Sequence, residues 1–201
     1  MASQTRCGPG IVSYSGVMKH LGTVPLETER LILRRFTPDD AEAMFRGWAT
    51  DPEVTEFLSW PAHTSVDVTR HILAEWVAAY SKPGFYQWAI ETKAGELIGS
   101  IGSVRQDDRT RMVHIGYCIG RPWWGQGYTT EALIRLIQFF FDDVGMNRIE
   151  SRHDPSNPSS GKVMVKAGMR YEGTARQADW NNQGIRDTDY YAILAGDRNL
   201  P

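Results

Sequence analysis

The chain has 201 residues, with 22 lysines and arginines against 24 aspartates and glutamates, which suits one ordinary domain around a single core. A net charge of −2 gives no general basic field, so a sequence-independent grip on duplex nucleic acid is not expected. Two distant cysteines, Cys7 and Cys118, form neither a disulfide framework nor CxxC spacing, and no apolar run approaches the ~18 residues of a membrane span.

The leader around Gly8-Pro9-Gly10 makes a poor signal-peptide core, so a cytoplasmic protein away from membranes is the expectation. Residues 1–25 lack sustained periodicity and read as a flexible tail, leaving 26–197 as the domain. Leu31 and Leu33 then alternate within a strand from Thr28 to Arg35. Thr37-Pro38 supplies an N-cap and a first-turn proline for a helix to about Ala49. A short helical turn starts at Asp51-Pro52-Glu53. Val68, Ile72, Trp76 and Ala79 sit at helical spacing between Ser65 and Tyr80, and Ser81-Lys82-Pro83-Gly84 ends that helix.

Tyr86 to Glu91 and Leu97 to Val104 flank the turn Thr92-Lys93-Ala94-Gly95-Glu96, a hairpin by its chemistry. Met112 to Ile119 adds the third strand of an antiparallel meander. Beyond a glycine loop, Leu133, Leu136, Ile137, Phe140 and Phe141 line one face of a helix that Gly145 stops. Arg148 to Arg152 is a short strand, Asn157-Pro158 starts a helix ending near Gly168, and strands follow from Met169 to Glu172 and from Asp187 to Leu194. The order predicts an α/β chain of α+β type: a central mixed, mostly antiparallel sheet of about seven strands flanked by helices.

The loop between Ile119 and Leu133 is the most informative stretch. Gly125 and Gly127 let backbone approach a ligand without a Cβ, and Thr129 and Thr130 add hydroxyls beside the first free amides of a helix. Such amides favour an anion, here a pyrophosphate. A dinucleotide-binding loop is the remote alternative, with Glu150 standing 23 residues after Gly127 as the ribose-binding acid. Its third glycine would fall at Thr130, and the preceding strand belongs to a meander where a buried parallel strand is needed.

Three stretches, Glu27 to Asp40, Ile115 to Ala132 and Asn157 to Gly173, resemble the GNAT superfamily of N-acetyltransferases, in particular its RimJ/RimL-like branch acting on ribosomal-protein alanine. The resemblance implies acetyl-CoA as cosubstrate, with pantetheine beside the strand ending at Ile119 and touching Asn157. It places the pyrophosphate on amides of Trp124, Gly125, Gln126, Gly127, Tyr128, Thr129 and Thr130. The superfamily pattern Arg/Gln-x-x-Gly-x-Gly/Ala falls on Trp124, Gly127 and Thr129, so its first and last positions depart from type.

Acyl transfer from a thioester to an amine needs a polarised carbonyl, a base and a proton for the leaving thiolate. The resemblance implies two neighbouring strands splayed apart near Cys118 and Ile119, whose unpaired backbone N–H groups are the expected carbonyl donors, while the Cys118 thiol reads as a small buried hydrophobe. His114 is the preferred base, with Glu53 and Glu56 as rivals. Ser160 matches the serine of the Asn-x-x-Ser motif and is the candidate acid. Lys162 and Lys166 are possible phosphate ligands, and Glu131 in the first helical turn is explained by the helix dipole alone.

An α-amine near pKa ~8 costs about 1 kcal/mol to deprotonate at pH 7, against roughly 4–5 for lysine. One histidine therefore suits an α-amine, from a protein N-terminus or a small molecule. No metal-binding spacing occurs among the histidines, and a monomer or homodimer is expected. The competing reading keeps the fold as a non-catalytic acyl-CoA-binding module.

Overall fold

The computed structural model describes residues 4–6, 12–14 and 17–199. Strands β1 (Gln4–Arg6) and β2 (Val12–Tyr14) pair with each other. The main sheet holds β3 (Leu26–Glu27), β4 (Leu31–Arg34), β5 (Gln87–Thr92), β6 (Leu97–Asp107), β7 (Met112–Ile119), β8 (Arg148–His153), β9 (Arg170–Asn181) and β10 (Gly184–Leu194). Their order across the sheet is β3-β4-β5-β6-β7-β8-β10-β9. All neighbours are antiparallel except β7 and β8. The eighth strand, beyond the seven expected, is the two-residue β3.

Helices cover both faces. On one lie α4 (Tyr128–Phe139) and α5 (Pro158–Lys166), whose Leu133, Leu136 and Met164 pack on Val113, Ile115 and Ile149 of the sheet. On the other, α1 (Ala41–Met44) with its flanking turns and α3 (Val66–Ala79) bury Phe36, Met44, Trp48 and Leu73 against Ala89. Each such side chain contributes roughly 1.5–3 kcal/mol by leaving water. A short α2 (Pro52–Thr55) follows, capped by the Asp51 carboxylate, which accepts from Glu53 N–H.

The tail boundary drawn at residue 25 is too late. Residues 17–25 belong to the domain: Thr23 is fully buried, and Met18, Leu21 and Val24 pack on the core. The physical reason is polar satisfaction. The Trp88 indole donates to the Val24 carbonyl (2.7 Å) and Arg35 Nε to the Thr23 carbonyl (2.7 Å), acceptors that only this segment supplies. Cys7 and Gly8-Pro9-Gly10 lie outside the described residues.

One close approach and one early parting set the sheet around β7. A Cβ on Gly99 would stand 2.3 Å from the Cys118 carbonyl oxygen and 2.9 Å from Ile119 Cα, so β6 must offer hydrogen there. On the far side, β7 and β8 pair only through Met112, Val113 and His114 against Arg148, Ile149 and Glu150; beyond that the strands diverge.

Gly99→Ala therefore overpacks the β6–β7 seam and lowers stability by about 1–3 kcal/mol. Gly47→Ala, where an added Cβ meets nothing within 4 Å, is neutral or gains about 0.4–1 kcal/mol. Urea unfolding of both variants beside the parent checks this; equal midpoints would contradict the packing reading.

Candidate active site

The divergence of β7 from β8 leaves backbone groups facing a gap, and the register says which. Gly120 N–H bonds the Ile98 carbonyl (2.9 Å), and hydrogen-bonded pairs alternate along an antiparallel ladder. With Ser100 opposite Cys118 and Ile101 opposite Tyr117, Cys118 turns its N–H toward β6. Tyr117 and Ile119 turn theirs toward the gap. Consistently, the outward carbonyls of Ile115 and Ile119 find side-chain donors, Ser151 Oγ at 2.8 Å and Trp124 Nε1 at 2.8 Å. Of the two donors expected from the sequence, Ile119 thus lies on the open edge. Cys118 does not, because strand alternation commits its amide to β6; Tyr117 takes its place.

The Cys118 thiol belongs to the opposite face, packed near the α1 cluster. Burial pushes it up to about 12, so it stays a thiol at neutral pH.

Across the gap stands the first turn of α5. Asn157 caps it, its side chain accepting from Ser160 N–H. The Tyr117 hydroxyl lies 2.9 Å from Ser160 Oγ and 3.0 Å from the Ser160 carbonyl. Burial pushes the Tyr117 phenol well above its usual value, which keeps it protonated and a donor. Tyr117 was not singled out by sequence reasoning, although Ile115-Gly116-Tyr117 placed it one residue from a site residue.

The glycine loop rises from the same strand end. Gly125 and Gly127 adopt φ of +72° and +83°, the left-handed region that disfavours a side chain. Gly127 is the N-cap of α4. The amides of Gly125, Gln126 and Gly127 make no hydrogen bond to any described residue, and the first-turn amides of Tyr128, Thr129 and Thr130 lie before the first intrahelical bond, which Glu131 N–H makes to the Gly127 carbonyl. A Cβ at Gly125 would meet nothing within 4 Å. This open row of donors fits the diphosphate of a coenzyme A.

Three side chains brace the loop. Gln126 Nε2 donates to the Pro122 carbonyl (2.7 Å), Trp124 caps the end of β7, and Arg121 pairs with both Asp51 and Glu53 at the start of α2. Beside it, a groove of about 440 Å³ runs from Gly127 and Thr130 past Arg135 to Lys166. Lys162 lies instead beside His153 and Asp189.

Glu53, a rival base from the sequence, is therefore tied to Arg121, and Glu56 is exposed near the end of α2. His114 is buried at the vertex of the divergence, its Nδ1 3.4 Å from Glu150 Oε1. His114, followed in part by Arg148, holds the Glu150 carboxyl below its usual range. Three residues of strand, about 10 Å, separate His114 from Tyr117, a span that water must bridge. Glu150, engaged by His114 and Arg148, is not free to bind a ribose, which removes the dinucleotide reading.

The acceptor side has a wall the sequence did not disclose. Asn182, at the β9–β10 turn, donates its Nδ2 to the carbonyls of Thr55 (2.7 Å), Leu58 (3.0 Å) and Trp60 (3.2 Å). The hairpin tip thereby clasps the segment after α2 across the open face. Among the described residues no group of three or more His, Cys, Asp or Glu could hold a metal, and no helix is long and apolar enough to cross a membrane.

Residues 30–170 match the family model for the acetyltransferase (GNAT) domain. The chain is 32% identical over 170 residues to the uncharacterized N-acetyltransferase YoaA of Bacillus subtilis (strain 168), covering 84% of this chain and 96% of that protein. It is 29% identical over 138 residues to the ribosomal-protein-serine acetyltransferase of Escherichia coli (strain K12), covering 68% and 76% respectively. Among solved structures, RimL, a ribosomal L7/L12 alpha-N-protein acetyltransferase in complex with coenzyme A, superposes with a TM-score of 0.76. That match has 20% identity and covers 85% of this chain and 98% of that one.

Glu131 beneath the loop offers a test by pH. Burial alone would raise its carboxyl, but bonds from Thr28 and from the Arg30 amide and guanidinium outweigh burial and hold it below the ordinary 4.5. A depressed native value means its contribution is complete above pH 4.5 and fades as pH falls toward the native value. The stability advantage of the parent over Glu131→Gln is therefore constant from pH 7 to about 5 and shrinks on further acidification. Unfolding midpoints at each pH measure it; an advantage that grows in acid contradicts the arrangement.

Proposed function

The chain belongs to the GNAT acetyltransferase family and is an N-acetyltransferase; from that premise we propose that it acetylates an α-amine with acetyl-CoA by direct attack in a ternary complex. The observation that carries this reading is the open edge of β7, where the N–H groups of Tyr117 and Ile119 face the gap a few residues before the glycine loop. Acetyl-CoA supplies a thioester carbonyl and a thiolate leaving group. The diphosphate would rest on amides from Gly125 to Thr130, and Asn157 would contact pantetheine. The Trp124 amide, expected from the sequence to join them, is instead committed to the Arg121 carbonyl at 3.0 Å, because the 3-10 turn before the loop uses it.

The chain's own groups divide the chemistry. The N–H of Tyr117 or Ile119 polarises the carbonyl, a donor fixed in place by the sheet and needing no reorganisation. With the neutral His114 ring carrying its proton on Nδ1, 3.4 Å from Glu150 Oε1, Nε2 is the proton acceptor. As nitrogen bonds to the acetyl carbon, the ammonium proton passes through water to that Nε2. As the carbon–sulfur bond breaks, Ser160 Oγ–H gives its proton to sulfur and the Tyr117 hydroxyl reprotonates Ser160. Water reprotonates Tyr117 while His114 returns the amine's proton to solvent, so the cycle closes with every group in its starting state. A single imidazole is base enough for an amine near pKa ~8 and poorly matched to lysine. Relatives that act on ribosomal proteins support a protein N-terminus as the acceptor.

Coenzyme A release measured with a panel of N-terminal peptides, lysine peptides and small amines tests this. Turnover is expected on α-amines. Tyr117→Phe and Ser160→Ala each lower kcat by about 10²–10⁴-fold, and the double variant loses little more than either single one because the two hydroxyls act as one relay. Acetylation of lysine side chains alone overturns the acceptor assignment, and coenzyme binding without turnover on every amine makes the chain a binding module.

A further inference from the structure

Arg30, just before β4, sends its side chain to the underside of the glycine loop, and each edge of its guanidinium has a different task. Nε is 2.7 Å from Glu131 Oε2. Nη1 donates to the Gln126 carbonyl at 3.1 Å, and the carbon between the nitrogens lies 4.2 Å over the Tyr128 ring. Glu131 is in turn held by Thr28 Oγ1 at 2.6 Å and by the Arg30 amide at 2.9 Å. The last nitrogen, Nη2, makes no hydrogen bond to any described residue and stands 3.5 Å from where a Cβ on Gly127 would be.

Trp124 gives this free corner its meaning. It occupies the place where the superfamily pattern carries Arg or Gln, and its indole N–H is turned back onto the Ile119 carbonyl at 2.8 Å. That position therefore brings neither charge nor a free donor to the loop. Arg30 approaches from the other side, with its stem pinned by Glu131 and Tyr128 and one N–H edge left over at the N-terminus of α4. A planar, permanently charged fork fixed on two sides loses little further freedom when its third side meets an anion.

We propose that Arg30 is a coenzyme-binding residue whose Nη2 edge faces the diphosphate, supplying the cation that Trp124 does not. The proposal rests on the reading of acetyl-CoA as cosubstrate. Its signature is dependence on the diphosphate and on salt, because a residue that only shaped the loop would serve ligands with and without phosphate alike.

Calorimetric titration of coenzyme A, beside turnover assays with S-acetylpantetheine, which lacks the diphosphate, separates the possibilities. Arg30→Gln is expected to weaken coenzyme A binding roughly 10- to 100-fold and to flatten the dependence of affinity on salt. It should leave kcat/KM for S-acetylpantetheine within about twofold of the parent, and Arg30→Lys should fall between parent and Arg30→Gln. Glu131→Gln, which loosens the stem but keeps the Arg30 charge, should weaken coenzyme A binding clearly less than Arg30→Gln does. Unchanged affinity in Arg30→Gln, equal losses on both ligands, or a loss in Glu131→Gln as large as in Arg30→Gln overturns the proposal. A parent protein that binds no coenzyme A defeats the coenzyme reading itself.

Discussion

Everything in the site depends on where a ladder of backbone hydrogen bonds stops. β7 and β8 share three residue pairs and then part, so that Tyr117 and Ile119 carry donors that no strand satisfies. An unmade hydrogen bond inside a protein costs more than a made one contributes, and the surrounding residues limit that cost. Ser151 and Trp124 satisfy the carbonyls on the same edge, leaving N–H groups alone for a ligand oxygen. The parallel pair is joined by a helical crossover, and that helix is α4, whose N-terminus faces the same opening. One topological fact thus sets both the proposed carbonyl site and the proposed anion site.

The gap stays open because rigid elements hold its two sides apart. Gly99 lets β6 press close to β7, and Tyr117 reaches across to Ser160 at the first turn of α5. At the vertex, Arg148 pairs with Glu150 and Glu172 while His114 pairs with Glu150, a half-buried network on the face away from α4. On that face the Asn182 carboxamide ties the β9–β10 turn to the segment after α2, so the acceptor side is framed by two elements far apart in sequence. Arg121 and Arg30 tie the glycine loop to α2 and to β4 in the same manner.

Local chemistry was legible in the sequence, and long-range pairing was not. Met112–Ile119 as a strand, Asn157-Pro158 as a helix start and Gly145 as a stop all follow from period and capping residues, and all appear. Gly125 and Gly127 announced a loop with exposed amides. The tail was misjudged because residues 17–25 dock through their backbone carbonyls, for which side-chain periodicity carries no signal. Which amides near Cys118 and Ile119 are free is not legible either, because the direction of an N–H depends on register with β6, which one strand alone does not encode. Tyr117, Arg30 and Asn182 have the same explanation: each works through a partner 43 or more residues away.

The central claim is that the open-edge amides of β7 hold the acyl carbonyl. It is tested most directly by the infrared stretch of that carbonyl in the bound state, read with acetyl-CoA carrying a ¹³C label at the acetyl carbonyl. A shift to lower frequency on binding, relative to the free thioester in water, is predicted, because an N–H donor fixed by the sheet polarises the bond more than mobile solvent does. A bound thioester whose stretch stays at or above its aqueous frequency would contradict the account.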